Sequence, residues 1–229
     1  MTSQEPTCWS LVEGAREGRA DARARFADAY LPVVRAYLLA RWGRGPLREG
    51  VDDAVQDTFV ECFRDAGALS RVSGGGRSRF RTFLYAVVRN VARRREERWQ
   101  RDDLRRSPLE GDGEHPEARD ARLSVAFDRA WANAILQRAV QRMRADARNG
   151  TDEARRQVEL LRLRFTEDLP IRAIAERWDE DPASVHRLYA RAREGYKRSL
   201  IVEMRFDQPE LTAAELESAC VGLLGLVGD

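Results

Sequence analysis

The sequence predicts an all-α fold with two small helical domains joined by a flexible acidic linker, the second domain containing a helix-turn-helix. Three observations predict it. Apolar residues recur at helical spacing along most of the chain. The stretch 102–122 breaks that rhythm: it is polar, carries Pro108, Gly111, Gly113 and Pro116, and is rich in acids. Beyond it, two apolar-striped segments are separated by only a few residues after Trp178, and the second is basic on its outer face. A chain of 229 residues has room for two small cores. The domains are expected at 9–101 and 123–200, with 201–229 as a C-terminal tail.

Composition narrows the function classes. Hydrophobic residues at 43% and charged residues at 34% describe a soluble globular protein. Of the 40 basic residues only Lys197 is lysine. Guanidinium groups suit bidentate contacts to phosphate and guanine. The net charge of +2 averages over opposed segments. From Arg77 to Arg106 eleven arginines face four acids, whereas Ser107 to Asp120 holds five acids and one arginine. Local patches of this kind steer a polyanion. Cys8, Cys62 and Cys220 are odd in number and far apart, and Cys62 falls on an apolar helical face as a buried thiol. With no secretory leader and no apolar run long enough to span a bilayer, the expected location is the cytoplasm. His115 and His186 are the only histidines, so no metal site and no cofactor are expected. Nor do clustered acids stand beside the basic faces as nuclease chemistry would require, so the chain does not read as an enzyme.

The first domain opens with a helical hairpin from Trp9 to about Trp42, broken near Gly18. Leu11, Ala15, Phe26, Tyr30, Val33, Tyr37 and Leu38 form its inward stripe. Pro32 either kinks the second helix or opens its first turn, and Gly43, Gly45 and Pro46 end it. The helix Val51 to about Asp65 buries Val51, Ala54, Val55, Phe59, Cys62 and Phe63. Asp53, Gln56, Asp57 and Val60 fall on its other side, a compact acidic and amide-bearing patch. A loop with Gly74-Gly75-Gly76 follows, flanked by Arg71, Arg77 and Arg79. The helix Phe80 to about Arg98 turns Phe80, Phe83, Leu84, Val87, Val88 and Val91 inward and becomes strongly basic.

After the linker, Leu123 to Ala147 reads as a long helix with Val125, Trp131, Ile135, Leu136, Ala139 and Met143 apolar. Asn149-Gly150 breaks it, and Asp152 to Phe165 is expected to bury Val158, Leu161 and Phe165. Pro170 opens a short helix with Ile171, Ile174, Ala175 and Trp178 on one face. Asp181 can cap the next helix while Pro182 takes its first position. That helix buries Val185, Leu188, Tyr189, Ala192 and Tyr196 and presents Arg187, Arg191, Arg193, Lys197 and Arg198 outward. In the tail, Thr212 and Glu215 form a capping box, and Leu216, Cys220, Leu223, Leu224 and Val227 form an apolar face that should dock on something. Two roles stand open for this acidic tail: covering Arg187 and Arg191 in the free protein, or patching an exposed apolar part of the second domain.

The run Asp53-Ala54-Val55-Gln56-Asp57-Thr58-Phe59, followed by Phe80-Arg81-Thr82-Phe83-Leu84 and Val88-Arg89-Asn90, resembles the second conserved region of a bacterial RNA polymerase sigma factor. The nearest subgroup is the short extracytoplasmic-function (ECF) type of the sigma-70 family. The similarity resumes from Val158 to Ser199. It implies core RNA polymerase and promoter DNA as partners, admits an anti-sigma factor or other regulator, and implies no bond chemistry. On this resemblance Asp53, Gln56 and Asp57 dock on the polymerase. Arg77, Arg79, Arg81, Tyr85, Arg89, Asn90, Arg93 and Arg94 would hold the start-proximal element as opened single strand. Ala183, Ser184, His186, Arg187, Arg191 and Lys197 would read the upstream element. The chain departs from the family pattern in four places. Arg94 replaces an acid, so Arg93-Arg94-Arg95 reads as added phosphate affinity without the family's usual local salt bridging. Asp179 replaces glycine, Glu180 replaces an apolar residue, and the stretch Arg148 to Arg156 is unusually hydrophilic. A conventional helix-turn-helix regulator is the alternative, and it leaves the Asp53–Asp57 patch and the basic helix idle.

Overall fold

The computed structural model describes residues 8–64, 77–103 and 116–225, with only the backbone described at 77–79, 103, 116–118 and 224–225. The Gly74-Gly75-Gly76 loop, the side chains of Arg77 and Arg79, the centre of the linker, and Leu224 and Val227 lie outside the described side chains. All regular structure among the described residues is helical. The helices are α1 (Cys8–Arg16), α2 (Ala20–Trp42), α3 (Val51–Phe63), α4 (Arg77–Asp103), α5 (Pro116–Arg148), α6 (Asp152–Phe165), α7 (Ile171–Trp178), α8 (Pro182–Asp207) and α9 (Ala213–Gly225), with a 3₁₀ turn at Pro46–Gly50. Helix therefore extends into both ends of the stretch read as an irregular linker. The boundaries between α1, α2 and α3 follow glycine: Gly18 and Gly43 take positive φ of 83° and 48°, which side chains with a Cβ resist. Pro32 lies inside α2 and does not open it.

The chain divides into two compact units. One holds the residues through Ala134 with Phe206–Leu211 and the chain from Val221; the other holds Ile135–Arg205 and Thr212–Cys220. The first unit is organised by aromatic rings. Phe26, Tyr30, Tyr37, Phe80 and Phe127 are all fully buried. Tyr30 lies 5.0 Å from both Phe26 and Phe80 and 5.1 Å from Trp131, centroid to centroid. Such pairs add about 0.5–1.5 kcal/mol each beyond area burial. They pin α4 and the first part of α5 to α2. The α5 periodicity differs from expectation here: Val125 is exposed, and Leu123, Phe127 and Trp131, spaced by four, are the buried stripe.

A polar clamp sits beside this core. Arg41 donates to both carboxylate oxygens of Glu96, at 2.7 and 2.8 Å, and the Trp42 indole donates to Glu96 at 3.0 Å. The guanidinium is almost fully buried. Burial pushes the Glu96 carboxyl up, but the hydrogen bonds and charge of Arg41, with Trp42 and Arg119, outweigh it and hold the group below the usual glutamate range. At the far end of α8, Trp131 donates its indole N–H to Asp207 at 2.7 Å, and the Cys8 thiol points at the Asp207 carbonyl at 3.4 Å.

In the second unit, α6, α7 and α8 share a core of Leu160, Leu163, Ile174, Ala175, Val185 and Leu188, with Leu169, Ile171, Trp178 and Tyr189 packed against it. The expected α6 face is corrected: Leu160 and Leu163 are buried, Val158 and Leu161 only partly so, and Phe165 is 69% exposed. Residues 158–163 carry two overlapping apolar stripes, and the position of Ile174 and Val185 selects one. Helix α8 runs eight residues past Ser199, burying Leu200, Glu203 and Met204. Glu203 accepts from Arg138 at 3.0 Å and Arg142 at 2.8 Å. The capping box that starts α9 is formed, with the Thr212 N–H and hydroxyl donating to Glu215 at 2.8 and 2.7 Å. Leu216 and Cys220 are buried while Val221 is 72% exposed.

Two outcomes follow from these contacts. Glu96→Gln leaves the Arg41 charge buried without its counter-ion and should cost about 3 kcal/mol in a urea melt. Because the folded pKa of Glu96 is depressed, its stabilisation is present above the ordinary glutamate value and is lost as pH falls through the lower, folded value. The variant should therefore lose less stability than the native chain between neutral and strongly acidic pH. A chain ending at Ser199 removes Leu200, Met204, Asp207 and Leu216. At about 2–5 kcal/mol for each large buried residue, it should show no cooperative thermal transition by circular dichroism.

Candidate functional site

Helix α3 presents the expected patch. Asp53 and Gln56 are exposed, and Val60 is 58% exposed beside them. Asp57 is tied down: Arg95 of α4 donates to it at 2.7 and 2.9 Å and reaches the Gly50 carbonyl at 3.4 Å. Arg94 lies 3.4 Å from Glu61, which also meets Arg64 at 3.1 Å. The reading of this run as cations without local salt bridging is thus corrected for Arg94 and Arg95. Asp57 and Glu61 of α3 supply the carboxylates that Arg95 and Arg94 meet. Cys62, behind the patch, has its thiol pushed up to about 12 by burial, which makes it packing and not chemistry.

On α4 the side chains expected to meet DNA fall into two groups. Asn90, Arg93 and Arg94 are exposed. Arg81, Tyr85 and Arg89, each one turn from the next, instead face the first part of α5. Arg81 forms an ion pair with Asp128, and Arg89 donates to Asp120 at 2.7 Å. Tyr85 packs edge-on between Tyr37 at 5.5 Å and Phe127 at 5.2 Å, and burial pushes its phenol pKa up. Tyr85, expected to help hold the opened strand, is therefore engaged within the protein. Sequence reading missed these acids, although Asp120 and Asp128 repeat the eight-residue spacing of Arg89 and Arg81.

In the second unit a turn of three residues joins α7 to α8. Asp179 takes the left-handed conformation, φ 54° and ψ 47°, so that the Glu180 N–H reaches the Ala175 carbonyl at 3.0 Å and closes α7. Asp181 caps α8, accepting from the Ser184 N–H at 3.1 Å. Arg156, from the hydrophilic stretch, forms an ion pair with Glu180 and lies 4.9 Å over the Trp178 ring. Ala183, His186, Arg187 and Arg191 are exposed along α8, and Ser184 is half-buried beside them. Arg187 donates to the Ser184 hydroxyl at 2.9 Å, and Arg191 donates to Glu153 of α6 at 2.7 Å. Among the described residues of the tail, Glu217 meets Lys197, at 3.5 Å. Two aromatic contacts flank the basic face, with Phe165 6.5 Å from Tyr189 and Arg193 5.8 Å over the Tyr189 ring.

Among the described residues no cluster of histidine, cysteine and acidic side chains could hold a metal ion, and no helix is long and apolar enough to cross a membrane. No protein-family model matches the sequence, and no curated protein matches it.

The expectation that α8 reads duplex DNA assigns different roles to two of its residues. Arg187, near the helix start, donates to Ser184, and Lys197, further along, lies beside Glu217. On duplex libraries, Arg187→Ala should cost about 1–3 kcal/mol against the preferred base and flatten discrimination at one position. Lys197→Ala should weaken all sequences alike and reduce the salt dependence.

Proposed function

We propose that this chain is a sigma factor of the ECF type, which binds core RNA polymerase, recognises the −10 and −35 promoter elements and promotes opening of the DNA. The observation that carries the reading is the pairing within one unit of an acid- and amide-bearing α3 face with the arginine-rich α4. A helix-turn-helix whose second helix is basic stands in the same chain. A conventional helix-turn-helix regulator uses only the last of these.

On this reading Asp53 and Gln56 are the open part of the polymerase-docking patch, and the Arg95 pair holds Asp57 in register with them. Asn90, Arg93 and Arg94 meet the backbone and bases of the opened strand, with Arg77, Arg79, Arg81, Tyr85 and Arg89 completing that surface. Ala183, Ser184, His186, Arg187, Arg191 and Lys197 form the duplex-reading surface. On this reading the chain works in the cytoplasm. The nucleotidyl transfer belongs to the polymerase, so the chain itself performs no catalysis and needs no cofactor.

The test is a titration of labelled protein with purified core polymerase. Asp53→Arg together with Gln56→Arg reverses the open face without touching the Asp57–Arg95 pair. The double variant should keep its helicity and bind core more than tenfold more weakly, since opposed charges at an interface become like charges. Equal affinity of native and variant chains contradicts the assignment.

A further inference from the structure

We infer that the first part of α5 occupies the nucleic-acid face of α4 as an internal mimic of a phosphate backbone, so that single-stranded DNA has to displace its acids. The inference rests on the proposed function, since it concerns regulation of that same surface. Three features of one unit carry it. The pairing is in register: Arg81 meets Asp128 and Arg89 meets Asp120, so α4 and α5 run antiparallel with matched eight-residue spacing. Eight residues of helix rise about 12 Å, and two carboxylates held that far apart present their charge as a stretch of polyanion does. Between them, the Tyr85 ring, an aromatic face of the kind single-strand binding uses, is met by Phe127 at 5.2 Å. Charge and ring on α4 are thus both matched by α5, in the combination that single-strand binding uses.

The energetics of the contact suit exchange. Both ion pairs are partly exposed, with side chains from 31% to 41% accessible. Pairs of that kind contribute little net stability, so replacing the carboxylates by phosphates costs the protein little. The segment itself is held elsewhere, by the buried Leu123, Phe127 and Trp131 and by Arg119 reaching Glu96 at 3.7 Å. Removing the two acids therefore unmasks arginines without removing the packing that holds α5 in place. In the free chain Asn90, Arg93 and Arg94 remain exposed, which leaves a weak, incomplete surface until the acids are exchanged.

The experiment measures fluorescence anisotropy of a labelled single-stranded oligonucleotide with the full chain at low salt and without polymerase. Asp120→Asn with Asp128→Asn is compared with Asp21→Asn with Asp28→Asn, which makes the same change in net charge on exposed α2 positions. The first variant should bind about tenfold more tightly than the native chain. Its salt slope should steepen by about 1.4, the contribution of two further phosphates on a single strand. The α2 control should stay within about twofold. A gain of equal size in both variants, or in neither, overturns the inference. If the double variant loses its helicity, Asp120→Asn alone decides the matter, with about a threefold gain expected and no gain contradicting it. Polymerase is absent from this assay, so its outcome is independent of the core titration. Masking can fail while the chain still binds polymerase, and it can hold in a chain that does not.

Discussion

The packing of Tyr30 against Phe80 and Trp131 is the contact on which the first unit depends. It fixes the rotation of α4 about its own axis, and with it the direction of every arginine on that helix. Once Phe80, Leu84, Val87, Val88 and Val91 face inward, Arg81, Tyr85 and Arg89 form one row, and Arg94 and Arg95 are carried toward α3. The Arg41–Glu96 clamp works with this packing. It binds the end of α2 to the middle of α4 through a charge pair that only a correctly rotated α4 can make.

The arginine-rich composition then becomes intelligible. Seven described ion pairs in this unit join an arginine of one helix or turn to an acid elsewhere in it. Guanidinium groups serve two purposes in such a surface. Buried and bidentate, as in Arg41, they lock helices together. Partly exposed, as in Arg81 and Arg89, they contribute little to stability and remain able to exchange one anion for another. The second unit uses the same device on a smaller scale. Arg156 ties the turn through Glu180 and Trp178, and Asp179 adopts the left-handed geometry there.

Much of this was legible in the sequence, because local rules and tertiary packing agree. The hairpin break at Gly18, the buried face of α3, the Asp181 cap, the Thr212–Glu215 capping box and the split between Asp53 or Gln56 and the α3 core all follow from periodicity and cap chemistry. The misreadings occur where two stripes compete or where partners are distant in sequence. Leu160 and Leu163 displace Val158, Leu161 and Phe165 because the docking position of α7 and α8 chooses the face. Val125 yields to Leu123 and Phe127 because α2 and α4, through Tyr37 and Tyr85, pack on that side of α5. The Arg95–Asp57 and Arg89–Asp120 pairs join residues 38 and 31 apart, beyond what helical periodicity registers. The end of α8 at Asp207 was hidden because no glycine or proline interrupts the chain between Ser199 and Gln208.

The proposed joint action of the α3 and α4 surfaces and the α7–α8 pair in opening promoter DNA is tested by permanganate footprinting of core polymerase mixed with this chain, on a library of genomic fragments. Unpaired thymines should become reactive near the transcription start of some fragments while an upstream segment is protected, both dependent on the chain. Upstream protection by the chain alone, with no thymine reactivity when polymerase is added, would contradict it.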